Sequence, residues 1–86
     1  MRHLFVMNPH AGKFDRSQEM LEKIRHMMAG RREEWSAVRT QGPGHAVALV
    51  EEAARQGDEL RVYACGGDGT LNEVVNGAAG QAHVAV

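Results

Sequence analysis

Eighty-six residues suffice for one small domain or part of one, with a core that is marginal by itself. A formal charge of −1, from 10 basic and 11 acidic residues, excludes a global pull toward nucleic acid or anionic membrane, and one cysteine excludes an internal disulfide. No apolar run can span a bilayer, and Asn8, Pro9 and His10 cut the first apolar segment too short for a signal peptide, so the expected setting is cytoplasmic and reducing.

Aromatic residues make up only 5%, which leaves the core to Val, Leu, Ala and Met. Leu4-Phe5-Val6-Met7 is a short apolar run closed by Asn8-Pro9 and predicts a buried strand. A turn through His10, Ala11, Gly12 and Lys13 leads to Asp15, a candidate helix N-cap with Gln18 at the reciprocal position. Met20, Leu21, Ile24, Met27 and Met28 then recur at helical spacing, a stripe read as packing, and Gly30 ends the helix. Trp35 to Thr40 is a second, weaker strand, with Trp35 as a packing anchor, broken by Gln41-Gly42-Pro43-Gly44. A second helix carries Ala46, Val47, Leu49, Val50, Ala53 and Ala54 inward and stops at Gly57. Glu33-Glu34 and Glu51-Glu52 read as solvated faces.

Leu60 to Cys65 is the third strand, and it delivers the chain into Gly66-Gly67-Asp68-Gly69. Thr70-Leu71-Asn72-Glu73 has the form of a capping box, with Thr70 and Glu73 satisfying each other's backbone donors. Leu71, Val74, Val75, Ala78 and Ala79 give the third helix an apolar face, Gly80 follows, and His83 to Val86 opens a fourth strand. Because the sequence stops inside that apolar stretch, it is expected to be cut from a longer protein. The alternation predicts an α/β fold: a three-layer α/β/α sandwich with a mainly parallel, Rossmann-like sheet. Ligands of such folds lie outside the carboxyl ends of the strands. The loops Asn8 to Lys13, Thr40 to Gly44 and Gly66 to Thr70 all fall at that edge.

Three glycines around a carboxylate, ahead of a helix, are suited to phosphate. Glycine lets a ligand approach the main chain, and the helix N-terminus offers free N–H groups and a positive dipole end. The run is neither a dinucleotide fingerprint, since Asn72 stands where the last Gly belongs, nor a P-loop, which needs Gly-Lys-Ser/Thr. Asp68 is either a turn-stabilising side chain or a carboxylate that organises the phosphate loop or meets Mg²⁺. The histidines show no metal-ligand spacing, so no metal-ligating set is assigned, and Cys65 reads as a small buried residue rather than a nucleophile.

Gly66-Gly67-Asp68-Gly69-Thr70-Leu71-Asn72-Glu73-Val74-Val75-Asn76-Gly77 resembles the nucleotide-loop signature of the diacylglycerol kinase catalytic-domain family, which includes bacterial lipid kinases and sphingosine kinases and is related to NAD kinases. Asn8-Pro9-His10-Ala11-Gly12 is similar to that family's opening N-P-x-[SA]-G motif, and Thr40 with Gly44-His45-Ala46 to its second loop. NAD kinases share G-G-D-G-T but usually lack the opening motif and the Asn-Glu continuation.

The resemblance implies that residues 1–86 are the N-terminal nucleotide-binding part of such a domain, whose β-rich second domain would carry the lipid pocket and the catalytic base. ATP phosphates would lie along Asn8, Pro9, His10, Ala11 and Gly12 and along Gly66, Gly67, Asp68, Gly69, Thr70, Leu71 and Asn72, with Thr40 also on the nucleotide. Asp68 is the candidate catalytic residue, with ATP and Mg²⁺ as cofactors. The implied reaction transfers the γ-phosphate of ATP to a lipid hydroxyl of the diacylglycerol type, in phospholipid metabolism. The fragment alone is expected to be inactive. Peripheral membrane contact and a homodimer are the further partner expectations for the whole protein, and nucleic acid is not one. The alternatives are an NAD kinase-like enzyme and a non-catalytic nucleotide-sensing module.

Overall fold

A computed structural model describes residues 1–9 and 16–86. The elements alternate as expected: β1 (Arg2–Met7), α1 (Ser17–Met28), β2 (Trp35–Arg39), α2 (His45–Ala54), β3 (Leu60–Cys65), α3 (Asp68–Ala78) and β4 (Val84–Ala85). The strands form one sheet in the order β2-β1-β3-β4, and every pairing is parallel. The expected N-cap Asp15 lies outside the described residues, and Arg16 holds the cap position of α1.

β1 is central, and its side chains divide between two cores by strand alternation. Leu4 and Val6 meet Ala46 and Val50 of α2 and Val74 of α3 on one face, together with Leu60 and Val62. Phe5 and Met7 meet Ile24 and Met28 of α1 on the other, with Trp35 and Tyr63 packed alongside. This gives the three layers. Right-handed crossovers account for the division, because the chain moves one way from β1 to β2 and the opposite way from β2 to β3 and β4.

Two helical stripes are narrower than their periodicity suggested. In α1 the buried residues are Ile24 and Met28, while Met27 is 50% exposed. In α3 the inward residues are Thr70, Val74 and Gly77, and Leu71 and Val75 are exposed. The cause is a close helix contact: a Cβ on Gly77 would lie 2.8 Å from Val50 Cβ and 2.9 Å from the Val47 carbonyl oxygen. Turning Gly77 toward α2 turns Leu71 and Val75 away.

At the amino-terminal edge, Arg2 grips Asp58 with Nε 2.9 Å from Oδ2 and Nη2 2.9 Å from Oδ1, and Nη2 also donates to the Ala53 carbonyl at 2.7 Å. Beside it, His3 is buried and its Nδ1 shares a 2.9 Å hydrogen bond with the Tyr63 hydroxyl. His3 Nε2 is 3.1 Å from Glu33 Oε2, an electrostatic contact without good hydrogen-bond direction. Glu33 is therefore more than a solvated carboxylate.

Candidate nucleotide site

Two backbone hydrogen bonds hold the carboxyl ends of β1, β2 and β3 together. The Asn8 N–H donates to the Cys65 carbonyl at 2.9 Å, and the Thr40 N–H donates to the Met7 carbonyl at 2.9 Å. Asn8, Thr40 and Gly66 thus enter their loops side by side, at the edge where the alternating fold predicts a ligand.

The glycine loop is shorter than its sequence suggests. The Gly67 carbonyl accepts from the N–H groups of Thr70 and Leu71 at 3.1 and 3.2 Å, so Gly67 is the N-cap and α3 begins at Asp68. This corrects the expected capping box. Thr70 lies inside the first turn with its own N–H already bonded, and its hydroxyl makes no cap hydrogen bond. Asp68 is exposed in that turn, where a carboxylate is favoured by the positive end of the helix.

Freed from capping, Thr70 and Glu73 turn to a cleft. Thr70 is 3% exposed, and neither its Oγ1 nor Glu73 Oε1 has a hydrogen-bond partner. Leaving such groups buried and unmet costs about 1–3 kcal/mol each unless something else satisfies them. Both residues line an open cleft of about 350 Å³ whose other walls include Asn8, Thr40, Gly42 and Pro43. The Thr40 hydroxyl donates to the Met7 carbonyl at 3.3 Å and keeps its capacity to accept.

A second cleft of about 230 Å³ lies on the other side of Asn8, lined by Pro9, Arg16, Met20, Gly66 and Gly67. Asn8 borders both clefts. At Gly66 an added Cβ would stand 2.6 Å from Thr70 Oγ1 and 3.2 Å from Asn8 Cβ, so the main chain sits where no side chain fits.

Of the expected site residues, Asn8, Pro9, Thr40, Gly66, Gly67 and Thr70 are brought together around these clefts. Asp68, Gly69, Leu71 and Asn72 lie exposed along the start of α3 and line neither. His10, Ala11, Gly12 and Lys13 are outside the described residues. His45 closes the second loop, where its Nδ1 accepts the Gln41 N–H at 2.9 Å. Cys65 is half-buried beside the Phe5 and Met7 core, and burial pushes its thiol above the ordinary value of 9.0, as expected of a packing residue.

Sequence reasoning missed two cleft residues. Glu73 belongs to the glycine-loop signature but read as a cap as readily as a functional residue and was not among the expected site residues, although it stands three positions after Thr70 and shares its helix face. Arg16 was hidden because Asp15 looked the better helix start. Among the described residues no group of three histidines, cysteines or carboxylates could hold a metal, and Asp68 stands alone as a carboxylate at the glycine loop.

Comparison with known proteins gives two findings. A profile of the diacylglycerol kinase catalytic domain matches residues 2–86. A diacylglycerol kinase of Staphylococcus carnosus (strain TM300) is 40% identical over 78 residues, covering 91% of this chain and 25% of that protein. The chain thus spans about a quarter of the length of the curated relative it matches.

Proposed function

The chain belongs to the diacylglycerol kinase catalytic-domain family, and on that premise we propose that it is the ATP-binding part of a lipid kinase. The observation that carries this reading is the buried, unpartnered Thr70 hydroxyl beside Gly66, at the N-terminal turn of α3. A side-chain donor, open main chain and a helix N-terminus in one place form a preorganised anion site.

In this reading the phosphate chain lies along Asn8, Gly66, Gly67 and Thr70. The nucleoside lies in the larger cleft, toward Thr40, Gly42, Pro43 and Glu73. Phosphoryl transfer chiefly demands positioning and neutralisation of charge, so a rigid cradle of neutral donors is useful chemistry. The backbone bonds from Asn8 to Cys65 and from Thr40 to Met7 supply that rigidity.

ATP fits the residues present. Mg²⁺ is bound chiefly by phosphate oxygens and water with one or two carboxylates, so these residues would contribute Asp68 at most. Asp68 is assigned a supporting role beside the phosphates. We assign the acceptor, a diacylglycerol-like lipid hydroxyl, and the catalytic base to the rest of the protein, so the 86-residue chain alone is expected to show no turnover. A cytoplasmic enzyme meeting its lipid at a membrane surface is consistent with this assignment.

The test compares acceptors with the whole protein, Mg-ATP and either diacylglycerol or NAD. Phosphorylation of diacylglycerol supports the proposal. Phosphorylation of NAD alone replaces it with an NAD kinase, and ATP binding without turnover on either would make the protein a sensor.

A further inference from the structure

We propose that Arg16, together with the α1 N-terminus that carries it, is the cationic wall of the phosphate cleft and binds the phosphate chain opposite the glycine loop. This rests on the nucleotide reading above. Arg16 lines the smaller cleft with Asn8, Gly66 and Gly67. It also caps α1, whose first bond runs from the Met20 N–H to the Arg16 carbonyl at 2.9 Å. Two helices therefore begin at one cleft, α1 at Arg16 and α3 at Gly67. Their positive dipole ends converge on the same space.

The charges of the described residues around the site favour such a group. Among the described residues that line the two clefts, Glu73 is the carboxylate and Arg16 the cation. Asp68 adds negative charge at the outer edge of the α3 turn. Backbone N–H groups, Asn8, Thr40 and Thr70 orient an anion, but none carries a charge to offset a phosphate chain. The exposed Arg16 makes no ion pair with another described residue, so its planar fork is available to engage phosphate oxygens bidentately. Independent evidence for a ligand next to it is Thr70, 3% exposed with an unpartnered Oγ1: it lines the adjoining larger cleft and lies against Gly66, which borders the Arg16 cleft.

The chemistry predicts a contribution that follows the number of phosphates and ignores the nucleoside. The experiment titrates the whole protein and its Arg16→Gln and Arg16→Lys variants with ATP, ADP, adenosine and inorganic tripolyphosphate, with thermal denaturation as a folding control. Arg16→Gln is expected to weaken ATP and tripolyphosphate about tenfold, ADP less, and adenosine less than twofold, with Arg16→Lys, which keeps the charge but not the planar fork, recovering only part of the loss. ATP affinity within twofold of wild type in Arg16→Gln, or an equal loss for adenosine, would overturn the inference. Tripolyphosphate binding that depends on Arg16 without ATP binding would keep the cation and discard the nucleotide reading. Failure of the wild-type protein to bind either anion would remove both.

Discussion

A methyl group on Gly66 would stand 2.6 Å from the Thr70 hydroxyl oxygen, so the loop and the first turn of α3 are built against each other without clearance. Thr70 is buried and β-branched, with few rotamers to escape into. Gly66→Ala is expected to lower ATP affinity at least tenfold and cost about 1–3 kcal/mol of stability, the usual range for overpacking. Gly69 has open space around a Cβ, so Gly69→Ala should leave the melting temperature unchanged or raise it. Equal destabilisation by both substitutions would show that the Gly66–Thr70 contact is not tight.

The Thr70 hydroxyl should hold function and stability in opposition. Thr70→Val keeps the shape and removes a buried polar atom that no other residue satisfies. The variant is expected to be as stable as the parent or more so, by up to about 1 kcal/mol, while binding ATP several-fold more weakly. Urea denaturation and ATP titration on one preparation read both effects. Loss of stability with unchanged affinity would make Thr70 a packing residue.

Gly77 is the corresponding test away from the clefts. A Cβ there would lie 2.8 Å from Val50 Cβ and 2.9 Å from the Val47 carbonyl oxygen. Gly77→Ala should therefore force α2 and α3 apart and destabilise by about 1–3 kcal/mol, despite the better helix propensity of alanine. A lower urea midpoint with ATP affinity retained under native conditions is the expected result.

Acid should loosen the amino-terminal edge of the sheet first. The 3.1 Å contact with His3 Nε2 holds Glu33 below its ordinary value of 4.5, and hydrogen bonding to Arg2 holds Asp58 below 3.8. Both carboxyls have depressed folded-state values, so their stabilisation is complete above the unfolded values and disappears as pH falls through the folded ones. Thermal stability should fall from about pH 4.5 downward, and the fall should be shallower in Arg2→Gln and in His3→Gln. A pH profile unchanged by both variants would remove these pairs from the explanation.

The strands and the two glycine stops at Gly30 and Gly57 were legible because their chemistry is local. Apolar runs closed by turn residues read directly, and both glycines have φ of +81°, a conformation side chains avoid. The start of α3 was not legible. Asp68 and Gly69 look like loop in composition, and only the Gly67 carbonyl accepting from Leu71 shows that the helix has begun. The facing of Leu71 and Val75 was hidden for a different reason, since periodicity gave a broad stripe and the approach of α2 at Gly77 chose which part turned inward. The link from His3 to Tyr63 spans 60 positions in sequence and follows from strand register, with Phe5 opposite Tyr63. At the clefts, motif chemistry gave Asn8, Thr40, Gly66, Gly67 and Thr70. Arg16 and Glu73 emerge only once two helix starts and one helix face are placed in space.

The reversal of chain direction at β1 has a bearing on how this site tolerates change. With β2 on one side of β1 and β3 on the other, α1 and α2 leave toward opposite faces, and a gap opens beside Asn8 before any side chain is chosen. The position of the gap is thus a product of backbone handedness, inherited from L-amino acids themselves, while the loops decide only what is held there. Redesign can rewrite the residues around Asn8, one at a time or together, and still find the opening in the same place.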